Sequence, residues 1–290
     1  MENVGLIGYT GFVGSNILAQ LKDKYKKMKL YNSKNIGEIS GEKFDLLIIS
    51  GVSANKQFAN MNPLEDRNNI LKLDNNLSKI TSKETVLIST IDVFTEDAYG
   101  KNRLDFENSV KKSLNLGNVH ILRLPGIFGP GLKKNVIFDM KNLIPTFIKD
   151  YVFDGLVEKD PAIKDWYSYN EDKKIYEVKT KNEEVEKHFK DLGFTSLNFS
   201  NMNSDFYWFN LKYISEEILD LVENNIPEVT IISDVITNKE IAVNCGINLS
   251  LFKSPNAVHY KNVLVEGRIN SYLKEDLLKE IKEFINGTSN

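Results

Sequence analysis

The start of the chain limits its fold more than any other segment. An apolar run, Val4–Gly8, leads directly into Gly8-Tyr9-Thr10-Gly11-Phe12-Val13-Gly14, and an amphipathic stretch, Ser15–Lys24, follows. Each glycine answers a different steric need. Gly8 permits a tight turn at the end of a strand, Gly11 lets backbone approach a bound phosphate, and Gly14 lets a helix pack closely on the strand. The helix that opens here offers free N–H groups and a partial positive charge to an anion. With a strand before it and a helix after it, the loop predicts a dinucleotide pyrophosphate site lined by Gly8, Thr10, Gly11, Phe12, Val13 and Gly14. The plainer alternative is a glycine-rich structural turn.

Downstream, short apolar runs alternate with amphipathic segments. Lys27–Tyr31, Asp45–Ser50, Thr85–Ser89 and Val119–Leu124 read as strands; Leu64–Ile80 and Tyr99–Ser113 read as helices. Buried strands separated by helices predict an α/β fold, a Rossmann-like doubly wound parallel sheet covered on both faces. The link from Tyr31 to Asp45 is short, with room for a turn or two of helix. Beyond Gly131 the pattern changes. Asn135–Lys149 reads as helix, and residues 150–204 are rich in Tyr, Lys, Glu and Asp, with one clear helix at Glu183–Leu192 and mixed charges that predict an exposed surface. Asp205–Asn210 and Val229–Ser233 read as strands, Leu211–Glu223 and Asn238–Cys245 as helices, and Tyr272–Ile285 as a last amphipathic helix. The expected organisation is a dinucleotide-binding domain over 1–131 plus about 205–233, and a smaller C-terminal substrate lobe over about 132–204 plus 234–290.

Composition narrows the function classes. At 290 residues and 41% apolar, the chain can bury a full core. A net charge of −3 and a pI near 5.8 argue against nucleic acid or an anionic membrane surface as partner. Cys245 is the only cysteine, which excludes an intramolecular disulfide and a multi-thiolate metal site; a buried thiol is the expectation. His120, His188 and His259 show no metal-ligand spacing, and no metal is expected. With no secretory leader pattern and no apolar run of about 18–20 residues, the expectation is a soluble, cytoplasmic protein.

The G-x-x-G-x-x-G spacing at the N-terminus, as GYTGFVG, resembles the extended branch of the short-chain dehydrogenase/reductases, the NAD-dependent epimerase/dehydratase family. That branch includes nucleotide-sugar epimerases, dehydratases and reductases. The resemblance runs through about residue 131 and more weakly to about 245.

At the end of the second strand, an acidic residue would bind the ribose 2′-hydroxyl of NAD. Here the chain reads Tyr31-Asn32-Ser33-Lys34-Asn35, with no acid. Lys34 beside Asn32 and Ser33 suits a 2′-phosphate, so NADP is expected ahead of NAD. Gly51-Val52-Ser53, after the third strand, is small enough for the adenosine side of the cofactor to approach closely. Asn69 sits where the family has an asparagine in the following helix.

The resemblance also implies a reactive centre. Leu87-Ile88-Ser89-Thr90-Ile91-Asp92-Val93-Phe94 is similar to the family's S-[ST]-x-x-V-[YF] segment, which puts Thr90 in the position of the hydroxyl that polarises the reacting oxygen. Asp92 falls where the sugar-nucleotide dehydratases carry a catalytic glutamate. Tyr99-Gly100-Lys101-Asn102-Arg103 looks like the family's helix start, which implies Tyr99 as general acid/base beside the cofactor and Arg103, in the place of the usual lysine, as the residue that orients the nicotinamide ribose without relaying a proton. The i,i+4 spacing puts Tyr99 and Arg103 on one helix face, where a fixed cation lowers a tyrosine pKa; Lys101 lies on another face. Arg123-Leu124-Pro125-Gly126-Ile127-Phe128-Gly129-Pro130 resembles R-x-x-N-x-[YF]-G-P, with Pro125 and Ile127 as nicotinamide contacts and Gly126 replacing the asparagine. Lys133, Lys134 and Asn135 follow at the expected mouth of the cleft; exposed surface residues are the expectation, with a phosphate contact as the alternative.

The leading expectation is therefore an NAD(P)-dependent oxidoreductase or epimerase acting on a sugar or nucleotide-sugar alcohol/ketone, with Tyr99 exchanging the proton. Substrate is expected at the carboxyl ends of the strands, under the smaller lobe. Arg103, Gly126 and the short Thr90–Tyr99 connection keep a second class open: a cofactor-binding sensor or assembly protein with a decayed site. A scaffold using only the fold is a third. Relatives often form homodimers through paired helices, which makes Tyr99–Ser113 the candidate dimer element.

Overall fold

The computed structural model describes residues 1–25, 27–253, 257–266 and 269–287. The chain divides into two compact units, described separately below: Met1–Gly131 with Phe206–Val235 and Asn262–Leu277, and Leu132–Asp205 with Ile236–Lys261 and Leu278–Asn290.

In the first unit β1 (Val4–Ile7) runs into α1 (Phe12–Leu21), β2 (Met28–Tyr31), β3 (Lys43–Ile49), α2 (Lys56–Met61), α3 (Pro63–Leu77), β4 (Thr81–Thr90), α4 (Ala98–Lys112), β5 (Asn118–Leu124) and the short β6 (Gly126–Phe128). Among the described residues the central sheet has seven strands, all parallel, in the order Ile269–Tyr272, Glu228–Ser233, β5, β4, β3, β1, β2. This is the doubly wound order with the edge strand beyond β2 absent. The chain between β2 and β3 forms only a short 3-10 turn, Ile36–Ile39, before crossing β1.

The period-2 alternation of the strands explains both covered faces. Val4, Leu6, Leu46, Ile48, Val86 and Leu122 pack on one side with Ile17 and Leu21 of α1 and with Ile214, Ile218 and Leu221 of the helix Ile214–Glu223. Ile7, Leu47, Ile49, Leu87 and Ile121 pack on the other with Ile70, Leu73 and Leu77 of α3 and Phe106 and Val110 of α4. Two ionisable groups inside this core are well paired. Glu107, fully buried, takes Arg123 (Nη2–Oε2 2.7 Å) and the Ser89 hydroxyl (2.6 Å). His120, 1% exposed, reaches the Ile226 carbonyl at 2.6 Å and Glu84 at 2.8 Å, a structural environment for the ring.

Residues 262–277 correct the expected boundary, which gave all of 234–290 to the smaller lobe. Ile269–Tyr272 pairs parallel with Glu228–Ser233 and extends the sheet, and Tyr272 donates to Glu217 at 2.5 Å. Its sequence, INSY, has no apolar run to mark it as a strand.

The second unit also differs from the sequence reading. The helix expected over Asn135–Lys149 spans only Val136–Lys141; Pro145 follows, and Phe147–Lys149 is a strand. Phe147–Lys149, Ile175–Val178 and Tyr167–Asn170 form an antiparallel sheet. This segment is not simply an exposed surface. Ile148, Phe153, Leu156, Ile163, Tyr167, Val185 and Phe189 build a core of their own, with the Phe153 and Tyr176 rings stacked at 3.5 Å. Burial pushes the Cys245 thiol up to about 11, which makes it a poor nucleophile at neutral pH.

Burial likewise raises the Asp139 carboxyl, in the helix Val136–Lys141, to about 7. A carboxyl whose folded pKa exceeds its unfolded value favours the fold when protonated. That contribution is complete below the ordinary carboxylate range and is lost as pH rises through about 7. Asp139→Asn is therefore expected to gain on the wild type in thermal midpoint between about pH 4 and pH 8. A constant gap between the two proteins across that range refutes the assignment.

Candidate functional site

The sheet reverses its winding at β1, and its carboxyl edge is in register there. Ile7 pairs with Tyr31 on one side and Ile49 on the other, so Gly8, Asn32 and Ser50 emerge side by side. Gly8 has φ +88°, and its N–H donates to the Tyr31 carbonyl at 2.7 Å. A Cβ on Gly8 would lie 2.5 Å from the Ser50 carbonyl oxygen, and one on Gly14 would lie 2.1 Å from the Gly8 carbonyl oxygen. Gly11 is the N-cap of α1, and no side chain caps that helix. The result is an uncapped helix start pressed against the end of β1, with Thr10, Phe12 and Val13 in the same turn. Only glycine fits its two tightest points.

The neighbouring strand ends complete this edge. Asn32 Oδ1 accepts the Lys34 N–H at 2.8 Å, and the Asn32 N–H donates to Asn35 Oδ1 at 2.7 Å, which folds residues 32–35 into a fixed turn. Ser33 and Lys34 are exposed on it. Gly51 packs so closely on Ile7 that a Cβ would meet its Cγ2 at 2.9 Å. Val52 and Ser53 continue the loop, and the Ser53 carbonyl accepts from Arg103 Nη2 at 2.6 Å. Asn69 lies exposed on α3, contacted only by Lys72 at 3.4 Å among the bonds of its side chain.

The Thr90–Tyr99 segment lies two strands over. Thr90, the last residue of β4, pairs with Leu124, so Pro125 emerges beside it. The Thr90 hydroxyl caps the following 3-10 turn, accepting the Asp92 N–H at 3.1 Å and donating to Asp92 Oδ2 at 3.0 Å. Asp97 caps α4 through the Gly100 N–H at 2.8 Å. Tyr99 is the second residue of that helix and only 6% exposed. Its N–H donates to Asn60 Oδ1 of α2 at 2.9 Å. Gly100 is required here, since a Cβ would lie 2.0 Å from the Asp92 carbonyl oxygen.

Two cations face the Tyr99 ring. The Arg103 guanidinium carbon lies 4.4 Å from the ring centroid and Lys56 Nζ 6.0 Å from it. Arg103 forms a buried bidentate pair with Asp66 of α3 (2.8 and 3.0 Å), both side chains 5% exposed, and Asn102 donates to the same carboxylate at 2.9 Å. Lys56 bridges Asp92 Oδ1 at 2.5 Å and Asp97 Oδ2 at 3.1 Å. The lowered Tyr99 pKa expected from Arg103 is corrected by the structure. Burial dominates and raises it; Arg103 and Lys56 oppose the rise, and Asp92 adds to it. Burial works against the Lys56 charge too, but Asp92 and Asp97 outweigh it and raise the Lys56 pKa.

After β5, Gly126–Phe128 pairs in parallel with Trp208–Asn210, which places Ile127 opposite Phe209. A Cβ on Gly126 would meet the Trp208 ring and the Tyr207 carbonyl oxygen at 3.0 Å. Lys133 and Lys134 are exposed in the second unit, where Asn135 caps the helix Val136–Lys141 through the Phe138 N–H. Asp66, Lys56, Asp97 and Trp208 were not singled out in the sequence.

No protein-family profile and no curated sequence is matched by the chain. Solved structures do match it over nearly its whole length. UDP-glucose 4-epimerase of Thermotoga maritima, with UDP-glucose, superposes with a TM-score of 0.59 at 12% identity, covering 98% of this chain and 97% of that one. The chain has the fold of that enzyme. UDP-N-acetylglucosamine 4-epimerase of Methanobrevibacter ruminantium, with UDP-N-acetylmuramic acid, gives 0.57 at 12% over 98% and 97%. RMD of Pseudomonas aeruginosa, with NADPH, gives 0.57 at 13% over 98% and 93%. Among the described residues no helix is long and apolar enough to cross a membrane.

The Arg103–Asp66 pair is expected to matter to stability whatever the chemistry. Arg103→Met, which leaves Asp66 charged and buried, should cost about 3–5 kcal/mol in denaturant unfolding. Asp66→Leu combined with Arg103→Met should recover much of that loss. Equal losses in the single and double variants contradict this account.

Proposed function

We propose that this chain is an NADP-dependent oxidoreductase or epimerase acting on a nucleotide-sugar alcohol or ketone. One observation carries the reading: a glycine-only helix start at the sheet's switch point shares the carboxyl edge of one parallel sheet with Thr90 and Tyr99. The space a Cβ would fill at Gly8 and Gly14 fits the close approach of a pyrophosphate, and the uncapped start of α1 supplies N–H groups to it. The fixed turn at Asn32, Ser33 and Lys34, with no carboxylate at the end of β2, favours a 2′-phosphate. Gly51, Val52 and Ser53 flank the adenosine side, and Pro125 and Ile127 the nicotinamide side. Neighbours solved with NADPH, UDP-glucose and UDP-N-acetylmuramic acid support the cofactor and the substrate class.

When bound, the nicotinamide accepts or returns hydride. The protein manages the proton. Tyr99, protonated at rest, gives its proton to the substrate oxygen as hydride arrives, and as tyrosinate takes it back in the reverse sense. Thr90, fixed by Asp92, orients the reacting oxygen. Asp92 is the nearest carboxylate for a second proton transfer. Arg103 contributes by holding the Ser53 carbonyl and the Tyr99 ring in place. The second unit carries substrate binding in this reading, and the exposed Leu64, Leu71 and Leu104 on α3 and α4 provide a homodimer surface. The soluble enzyme would work in the cytoplasm.

A sensor with a decayed site is the second reading, favoured by the commitment of Arg103 to Asp66. A panel of UDP- and GDP-sugars with NADP+ or NADPH separates the two. Under the enzymatic reading Tyr99→Phe lowers turnover by about 10²–10⁴ and leaves cofactor affinity little changed. Full activity in that variant removes Tyr99 from the mechanism, and no turnover of any sugar by the wild type favours the sensor. Calorimetry should show NADPH binding ahead of NADH, with Lys34→Ala reducing the preference by about tenfold. Tighter NADH binding overturns the NADP assignment.

A further inference from the structure

The family resemblance places an ammonium four residues after the tyrosine. Here that position is Arg103, whose charge is opposed within 3.0 Å by Asp66, with both groups buried. Its Nη2 is also tied to the Ser53 carbonyl at 2.6 Å. Arg103 remains the larger cationic influence on Tyr99, through its charge and a hydrogen bond. A second cation reaches the same ring from a different element. Lys56, the first residue of α2, brings Nζ to 6.0 Å from the Tyr99 centroid. We propose that Lys56 shares the tuning of Tyr99 with Arg103, setting part of its proton affinity from α2, outside the tyrosine's own helix. The proposal rests on the reading of Tyr99 as the acid/base.

The surroundings of Lys56 give it a double hold on the site. Asp92, which it meets at 2.5 Å, also fixes the Thr90 hydroxyl. Asp97, which it meets at 3.1 Å, caps the helix on which Tyr99 is the second residue. Asn60, one turn along α2, accepts the Tyr99 N–H. One ammonium therefore ties α2 to both ends of the segment that carries Thr90 and Tyr99. The charged groups around the phenol are Arg103 on its own helix, Lys56 on α2 and Asp92 on the intervening turn, with Asp97 beyond Lys56 and Asp66 behind Arg103. Lys56 offsets the two carboxylates it touches. Its removal takes a favourable charge from the phenol and leaves Asp92, which opposes ionisation of Tyr99, without its partner. At 41% side-chain exposure, Lys56 is replaceable without opening the core.

Tyr99 ionisation is measurable without cofactor or substrate. In protein labelled with ¹³Cζ-tyrosine, the resonance lost in Tyr99→Phe identifies Tyr99, and its midpoint is followed by NMR as pH rises. Lys56→Gln should raise the midpoint by about one unit or more, Lys56→Glu should raise it further, and Lys56→Arg should stay near the wild type. An unchanged midpoint in Lys56→Gln overturns the proposal, including the case where only thermal stability falls. A wild-type Tyr99 signal that stays protonated up to unfolding overturns it as well. Asp92→Asn gives an independent reading that does not depend on Lys56→Gln folding: with one carboxylate gone and Lys56 retained, the midpoint should fall, and a rise or no change counts against Lys56. These midpoints fail or hold separately from the enzymatic reading, which is tested by turnover in the wild type and in Tyr99→Phe.

Discussion

Between the carbonyl of Gly8 and the backbone of Gly14 there is no room for a methyl group, since a Cβ at Gly14 would sit 2.1 Å from that oxygen. The closeness comes from the strand itself. β1 is buried on both faces and paired on both edges, so its end cannot yield, and α1 must come down onto it. Ser50, at the end of β3, bonds the Ile7 carbonyl through both its N–H (2.9 Å) and its hydroxyl (3.2 Å), which fixes the third wall of the loop. An uncapped helix start at the carboxyl edge follows from that packing, before any ligand is considered. The short β2–β3 link has the same origin. Among the described residues no strand lies beyond β2, so Asn32–Asn35 can close into its own turn beside the glycine loop.

A second constraint shapes the reactive end. The buried Arg103–Asp66 pair clamps α4 to α3, and its bond to the Ser53 carbonyl draws in the loop after β3. Breaking such a pair is far more costly than never having built it. Once Asp66 lies under α4, arginine at 103 is held there by stability as much as by chemistry. Its planar fork suits the bidentate geometry, which a lysine would not reproduce. The cation that remains adjustable is then the half-exposed one on α2.

Much of this was legible in the sequence, for physical reasons that also explain the gaps. Strands such as Asp45–Ser50 and Val119–Leu124 are apolar because both faces are covered, so the parallel sheet and its glycine loop could be read directly. Ile269–Tyr272 could not, because an edge strand needs few apolar residues. The antiparallel sheet of the second unit escaped for a related reason: its strands are only three or four residues long and rich in Tyr and Lys. The Arg103–Asp66 pair did leave a signal. Asp66 is in phase with Ile70, Leu73 and Leu77, and Arg103 with Tyr99, Phe106 and Val110. Opposite charges on two buried stripes imply one another. Lys56 left none, since it opens a six-residue helix with no apolar phase. Its place near Tyr99 depends wholly on how α2 packs.

The departures from the family pattern bear on whether the site is decayed. Drift at a disused site leaves holes and unpaired charges, because nothing selects for a matching change nearby. Here the replacements are matched. Arg103 meets Asp66 with two good hydrogen bonds, and the glycine at 126 gives space to the Trp208 ring, which packs at the same point with 2% exposure. An asparagine restored at 126 would collide with that ring and with the Tyr207 carbonyl, so the two positions belong to one arrangement. Trp208 Nε1 is the exception, a buried donor without a partner among the described residues. Leaving such a group unpaired costs about 1–3 kcal/mol. The altered positions are therefore packed with their neighbours as one arrangement at this edge of the sheet.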